Sequence, residues 1–456
     1  MSTYYLAKAN QEQLLREAEQ DRLTREARRA KREGSKRRPS HTKGWAIDAS
    51  TRPTPRSHNN KKGKETMTTQ EKLTKRNRIH WMDNLRTIII FLVVLYHAAG
   101  VYSLIFQSFW LVADPAYSDV IGILNVVLDA TVMPTIFFIS GYLIPVSLKD
   151  KSGWTFLKSR FKRLILPWIV AVLTLMPLYK VIFLYSRGLP QEHWTTYFHF
   201  SPGNITSQNW LWFLPVLFSF NILYVLLSKL NIKLPKISLK TAVIGSLVIG
   251  FVYCVGIGMV VGFRHWTKTP LIDFETEKLL PYFLLFLLGA LCFRNNVFEV
   301  KPKKQTMYIV VSSIAWIPIT VHIFSRVFWV LGMGTLGGIV SPFVDRLIWW
   351  LGFDLSVLCM VYLMVQSFWR YLDRSGRIWN ELNRNSYGVY IIHVIVVGVI
   401  ALPLLTVTLP AMVKFLILMV SAYLASNLIV SLCRRAMARL RQPANHASQI
   451  VARENI

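Results

Sequence analysis

Ten apolar runs, most of them close to 20 residues long, limit what this chain can fold into more than any other feature. A helix of about 20 residues, rising about 1.5 Å per residue, crosses a hydrocarbon core of about 30 Å. The runs fall at 85–106, 120–147, 164–186, 209–228, 240–262, 279–293, 307–330, 345–368, 386–404 and 410–432. Within lipid each backbone N–H and C=O must be satisfied inside its own segment, so each run is expected to be a helix. The chain therefore reads as an all-α polytopic membrane protein, a bundle of about ten transmembrane helices. Charged residues are 17% of the chain and apolar ones 53%, a balance foreign to a soluble protein of 456 residues.

The net charge of +29 does not point to nucleic acid, because the basic residues gather in the amino-terminal tail and in alternate loops. Basic segments follow the second, fourth, sixth and eighth spans: "KDKSGWTFLKSRFKR", "KLNIKLPKISLK", "RNNVFEVKPKK" and "RYLDRSGRIWNELNR". After the tenth comes "CRRAMARLRQ". The loops between carry far fewer basic residues, and "QSFWLVADPAYSD" and "LPLLTVTLP" carry none. By the positive-inside rule both termini are cytoplasmic, in a cell inner (plasma) membrane, and a miscount by one span would break the alternation. Residues 1–77 are highly charged with sparse leucines and read as a largely disordered basic tail. Met67 opens "MTTQEKLTKRNRIHWMDNL", a natural start for a membrane domain over 78–433, with a short basic tail over 434–456. Cys254, Cys292, Cys359 and Cys433 lie in or at the ends of apolar runs, without metal or disulfide spacing.

Prolines inside the spans, Pro134, Pro177, Pro215 and Pro318, are expected to kink helices and free backbone groups. That is tolerable only inside a bundle or beside a polar cavity.

Ionisable groups inside spans are costly and mark functional candidates. Arg86 and His97 are eleven residues apart in the first span, three turns plus about 20° of helix. They share a face, with His97 about 16 Å further along the axis. Asp83 stands three residues before Arg86 and can pair with it. Imidazole is the side chain best suited to take a proton near neutral pH. In the second span, "LDATVMPTIFFISGYL" sets Asp129 and Ser140 on one stripe. Asp129 needs a partner and could orient or charge-balance a histidine. Ser140 is either a packing residue or a contact for substrate, while the Ser-Gly pair lets helices approach closely. In "KSRFKRLILPW" the pair Arg160 and Arg163 can hold the loop in the cytoplasm and also grip phosphate oxygens. Trp210 and Trp212 open the fourth span, where aromatic belts occur, and "NSYGVYIIHVIVV" puts His393 inside the ninth. Asp354 lies in the eighth; His193, His199, His265 and His322 show no ligand spacing. Asn204, Ile205 and Thr206 form a glycosylation sequon in form only.

Taken in order, "RTIIIFLVVLYH", "FFISGYL", "RFKRLILPW", "LWFL" and "NSYGVYIIH" resemble the acyltransferase family 3 membrane enzymes. Within it, "MDNLRTIIIFLVVLYHAAGVY" and "LWFLPVLF" are most similar to the branch of glucan biosynthesis protein C. The resemblance covers roughly residues 78–432. It implies a ten-helix bundle with a chamber reaching from each side. It also implies transfer of an acyl group, often acetyl or succinyl, from cytoplasmic acyl-CoA to a hydroxyl of a carbohydrate. No cofactor is then permanently bound, acyl-CoA being the donor substrate; the partners are that donor, a cell-envelope glycan and membrane lipids, with no nucleic acid and homo-oligomerisation left open. By the same resemblance His97 is the catalytic histidine, Arg86 the arginine of its motif, Arg160 and Arg163 the paired arginines and Trp212 the tryptophan of the fourth span. The chemistry of the residues adds Asp129 as catalytic beside His97 and donor binding by Arg86, Arg160 and Arg163. Trp212, Ser140 and His393 would contact substrate. Two departures are expected. The acidic residue that follows the tryptophan motif in the O-antigen-modifying branch is missing, and no periplasmic hydrolase-like domain follows the tenth span.

The residues alone admit His97 either as a base toward the acceptor hydroxyl or as a group that itself accepts the acyl unit. They also admit a proton-coupled transporter or flippase for a glycan or lipid-linked intermediate, with Asp129, His97 and Asp354 relaying protons, although no matching halves of an inverted repeat are visible. A membrane scaffold would account for the basic tail but not for the charges within the spans.

Overall fold

A computed structural model describes residues 79–104, 110–149, 151–193, 195–196, 208–230, 237–261, 265–269, 271–299, 304–330 and 340–440. The amino-terminal tail, His199, the sequon and the glycine-rich stretch 332–338 lie outside these residues. Ten segments in the described residues are long and apolar enough to cross a membrane, and they coincide with the ten runs read from the sequence. The span count and the all-α class hold; the one departure is a short hairpin.

In chain order the helices are α1 (His80–Gly100), α2 (Asp119–Leu148), α3 (Gly153–Arg160), α4 (Leu166–Ser186), α5 (Phe213–Lys229) and α6 (Leu239–Val261). They continue with α7 (Leu279–Arg294), α8 (Thr306–Ile314), α9 (Trp316–Val330), α10 (Pro342–Tyr371), α11 (Arg377–Leu404) and α12 (Ala411–Leu440). Twelve helices make ten spans because α3 runs into α4 through a π-helical turn, Phe161–Ile165, and α8 meets α9 at Ala315. The second break has a covalent cause: Pro318 has no N–H to offer the carbonyl of Ile314, four residues back. Pro134 and Pro145 lie inside α2 and Pro177 inside α4. Pro215 departs from the expected kink, since it occupies the first turn of α5, where a missing N–H costs nothing. α12 continues to Leu440, so residues 434–440 of the basic tail are helical.

Lipid tails are as apolar as leucine, so these helices associate by close packing and hydrogen bonds more than by apolar burial. α2 is the most enclosed span and packs most extensively against α7. Two glycines bring them together: the α carbon of Gly141 lies against the Phe286 carbonyl, and that of Gly289 against the Phe138 carbonyl. A methyl group at either position has no room. The close approach read from the Ser-Gly pair is therefore realised, by the glycine. The spans formed by α6 and by α8–α9 lie at the periphery, with most of their surface unburied.

The start of α1 is tied to the α10–α11 connection by Asn84 Nδ2, which donates at 2.8 Å to the carbonyls of Leu372 and Arg374. The Thr87 hydroxyl donates to the Asn383 side chain. At the other end α1 stops at Gly100, over which the Trp110 indole closes, and Trp110 Nε1 donates to the His97 carbonyl at 3.1 Å. Between α6 and α7 the hairpin pairs β1 (Trp266–Lys268) antiparallel to β2 (Asp273–Glu275) in the register Trp266 to Glu275. It forms where "DFETEK" interrupts the apolar pattern, outside the spans.

Candidate active site

α1 is one unbroken helix, so Arg86 and His97 stand on one face about 16 Å apart along the axis. Arg86 pairs with Asp83 at 3.3 Å, the i, i+3 partnership expected from the sequence. Arg160 and Arg163 lie at the same end: Arg163 is close enough to feel the charge of Arg86, and Arg160 that of Arg163. The three arginines that the sequence singled out as donor-binding thus form one cluster.

Local chemistry builds that cluster. Pro167 has no N–H for the Arg163 carbonyl, four residues back in the chain, and the Tyr387 hydroxyl of α11 donates to that carbonyl at 2.7 Å. The π-helical turn that presents Arg163 is a form that recurs at functional sites. Arg160 Nη2 donates to Ser147 Oγ at 2.9 Å, and its guanidinium lies over the Phe156 ring at 5.1 Å. The Arg163 side chain is exposed.

His97 lines a small, partly open cavity. Its apolar wall comes from Val93, Leu128, Val132 and Met133, and its polar groups are His97, Asp129 and Glu275. Six aromatic side chains complete the lining: Tyr96, Trp210, Trp212, Trp266, Tyr282 and Tyr390. Trp212 is stacked with Tyr282, centroids 6.3 Å apart, and meets Trp266 edge to face at 5.9 Å.

Trp210 is not part of an aromatic belt at the lipid surface, as its place at a span end suggested. It is 3% exposed; its Nε1 donates to the Ile391 carbonyl at 3.0 Å, and the Tyr390 hydroxyl donates to its own carbonyl at 2.5 Å. These two bonds lock the 3₁₀ turn Asn209–Trp212 to α11. The hairpin is fastened beside them by Asp273, whose carboxylate accepts from the backbone N–H groups of Gln208 at 2.8 Å and Thr269 at 3.0 Å. Burial pushes the Asp273 carboxyl up from its ordinary value.

Asp129 reaches the same cavity, and its ion pair is with Lys278 at 2.7 Å. Lys278 also pairs with Glu275 at 3.0 Å, which gives an ammonium held between two carboxylates. Lys278, Glu275 and the ring of Tyr282 were not foreseen. The one available signal was that Asp129 required a cation, and the charged "DFETEK" before the sixth span supplies it. His393 is fully buried behind His97, with its Nε2 3.2 Å from His97 Nδ1. Ser140 is half-buried on α2 and is not among the residues lining the cavity. Asp354 is buried in α10 near Gly250 of α6, and His322 is buried within α9 against Trp349 and Phe353.

A family model described as an acyltransferase domain, that of acyltransferase family 3, matches residues 79–431. The chain belongs to this family. No curated protein and no solved structure matches it. The protein is thus a multi-pass membrane acyltransferase, and its matched region begins just before α1 and ends within α12.

Proposed function

We propose that this acyltransferase moves an acetyl or succinyl group from cytoplasmic acyl-CoA to a carbohydrate hydroxyl of the cell envelope, with His97 as general base. The observation that carries the reading is the cavity itself. A histidine ring, two carboxylates and six aromatic rings line one cavity. Aromatic faces suit the C–H surfaces of a sugar ring, carboxylates accept from its hydroxyls, and the imidazole can take the proton of the hydroxyl that attacks.

In the reaction His97 takes the hydroxyl proton as the oxygen bonds to the thioester carbon. The C–S bond then breaks and the departing thiolate receives that proton, so the ring is restored. The CoA phosphates cannot enter hydrocarbon and rest on Arg86, Arg160 and Arg163, where guanidinium forks match phosphate oxygens. The flexible pantetheine arm carries the thioester the length of α1 between Arg86 and His97. Loop charges support cytoplasmic termini, an arginine cluster on the cytoplasmic side and an inner-membrane location. Similarity of the first and fourth spans to the glucan biosynthesis branch supports a glycan acceptor.

The test uses purified protein in nanodiscs with labelled acetyl-CoA and succinyl-CoA, following thioester loss and transfer to glycan acceptors. Turnover that disappears in His97→Ala supports the assignment. Full turnover in that variant sinks it.

A further inference from the structure

His393 does more than border the site. Its Nδ1 lies 2.7 Å from the Tyr390 carbonyl and 3.2 Å from that of Val389. Carbonyl oxygens only accept, so Nδ1 must carry the proton, and in the neutral ring Nε2 then holds a lone pair. That lone pair faces His97 Nδ1 at 3.2 Å, and Nδ1 is also 2.7 Å from the Val93 carbonyl. Both neighbours of His97 Nδ1 are therefore acceptors, and Nδ1 must be the protonated nitrogen. What remains for the cavity is Nε2, unprotonated, the form a general base needs.

The Val93 carbonyl is one turn back on α1 and already receives the helical bond from the backbone N–H of His97. His393 supplies the acceptor that reaches His97 from a second helix. We infer that His393 is a positioning residue: its Nε2 holds His97 in the Nδ1–H tautomer and stabilises the imidazolium formed when His97 takes the acceptor proton. This rests on His97 being the base.

The arrangement also limits where the proton goes. His393 Nδ1 points at carbonyls that cannot take a proton onward, so the path ends there. His97 therefore does not pass the proton on through His393, in keeping with its return to the leaving thiolate. His393 itself is sealed from solvent, at 0% exposure, while the Trp210 ring stands edge-on to it at 6.4 Å.

The titratable groups lining the cavity with His97 come from its own helix, Tyr96, and from four other elements: Asp129, Glu275, Tyr282 and Tyr390. All stay in place when only His393 is changed, so a difference between wild type and variant reads His393 alone.

The experiment compares His393→Phe and His393→Gln in nanodiscs, with His97→Ala as reference. For His393→Phe, kcat should fall roughly 10²-fold, at the low end of what a general base contributes, with both KM values within about threefold. The acid limb of kcat/KM should move to lower pH, because the imidazolium has lost an acceptor. Glutamine keeps an acceptor oxygen within reach, and His393→Gln should recover kcat to within about tenfold of wild type. Nitrogen NMR of the wild-type histidines, assigned by loss of the His97 signal in His97→Ala, should show Nδ1–H on His97 at alkaline pH.

A His393→Phe enzyme with unchanged kcat and acid limb overturns the inference, as does a rise in acceptor KM alone, which would make His393 a substrate contact. If the phenylalanine variant does not fold, the glutamine variant and the spectrum decide, and an Nε2–H tautomer on His97 refutes the role. An inactive His97→Ala beside a fully active His393→Phe leaves the base standing and removes only its support. An active His97→Ala removes both.

Discussion

The Asp129 carboxylate of α2 meets the Lys278 ammonium at the foot of α7 at 2.7 Å, and Glu275 holds the same ammonium at 3.0 Å from the other side. All three side chains are at least four-fifths buried, and two carboxylates without the cation would face each other beside the site. Replacing Lys278 with Met should therefore cost about 3–5 kcal/mol, the usual result of stripping one partner from a buried pair. A thermal unfolding midpoint measured in detergent would fall sharply, and Asp129→Asn should fall much less because it leaves Lys278 with Glu275. Equal midpoints for wild type and Lys278→Met would mean that the triad contributes nothing to the fold.

The contact between α2 and α7 depends on two absent methyl groups. At Gly141 an added carbon meets the Phe286 carbonyl, and at Gly289 it meets the Phe138 carbonyl, both rigid backbone. Gly141→Ala should force the helices apart and cost about 1–3 kcal/mol. Gly245 on the peripheral α6 has nothing within 4 Å of such a carbon, so Gly245→Ala should leave stability unchanged or slightly raised. Parallel unfolding curves of the two variants check the contrast, and a loss at Gly245 equal to that at Gly141 would refute the packing account.

How much of this was legible beforehand follows from what sets each feature. Span number and helical class are dictated by the bilayer, which leaves a mark about 20 residues long on the chain, so all ten runs were readable. Pairing within one helix was readable too, because 3.6 residues per turn determine which side chains meet; Asp83 with Arg86 is the instance. Contacts between helices were not. Nothing in the spacing of residues 129, 278 and 275 says that they converge, since that depends on how α2 and α7 settle together. The same holds for His393, readable as a polar group inside a span but not as a neighbour of a ring 296 positions earlier in the chain. Trp210 misled because a tryptophan at a span end looks the same whether it faces lipid or the neighbouring helix.

The arginine cluster gives a prediction separate from the chemistry at His97. Arg160→Gln and Arg163→Gln should each raise the KM for acyl-CoA about tenfold with kcat little changed, because a phosphate contact made equally in the ground and transition states alters binding alone. Added salt should raise the wild-type KM and should affect the double variant less, since fewer charges remain to be screened. Tyr387→Phe should mimic a weaker form of the same defect, because it leaves the Arg163 carbonyl without the hydroxyl that now donates to it. Initial rates over a range of acyl-CoA and salt concentrations decide this. A fall in kcat at constant KM would move these arginines out of donor binding.

Trp212 belongs to the cavity's aromatic lining, stacked with Tyr282 and edge-on to Trp266. A sugar ring seated there would lose a stacking face in Trp212→Ala, worth about 1 kcal/mol and so a rise in acceptor KM of roughly five- to tenfold. The KM for acyl-CoA should not move, because the proposed grip on the donor's charged end is at the other end of α1. Trp212→Phe keeps an aromatic face and should recover most of the loss. Initial rates with both substrates varied would separate the effects: a shift in the donor KM with the acceptor KM constant would show that Trp212 serves the thioester and not the sugar.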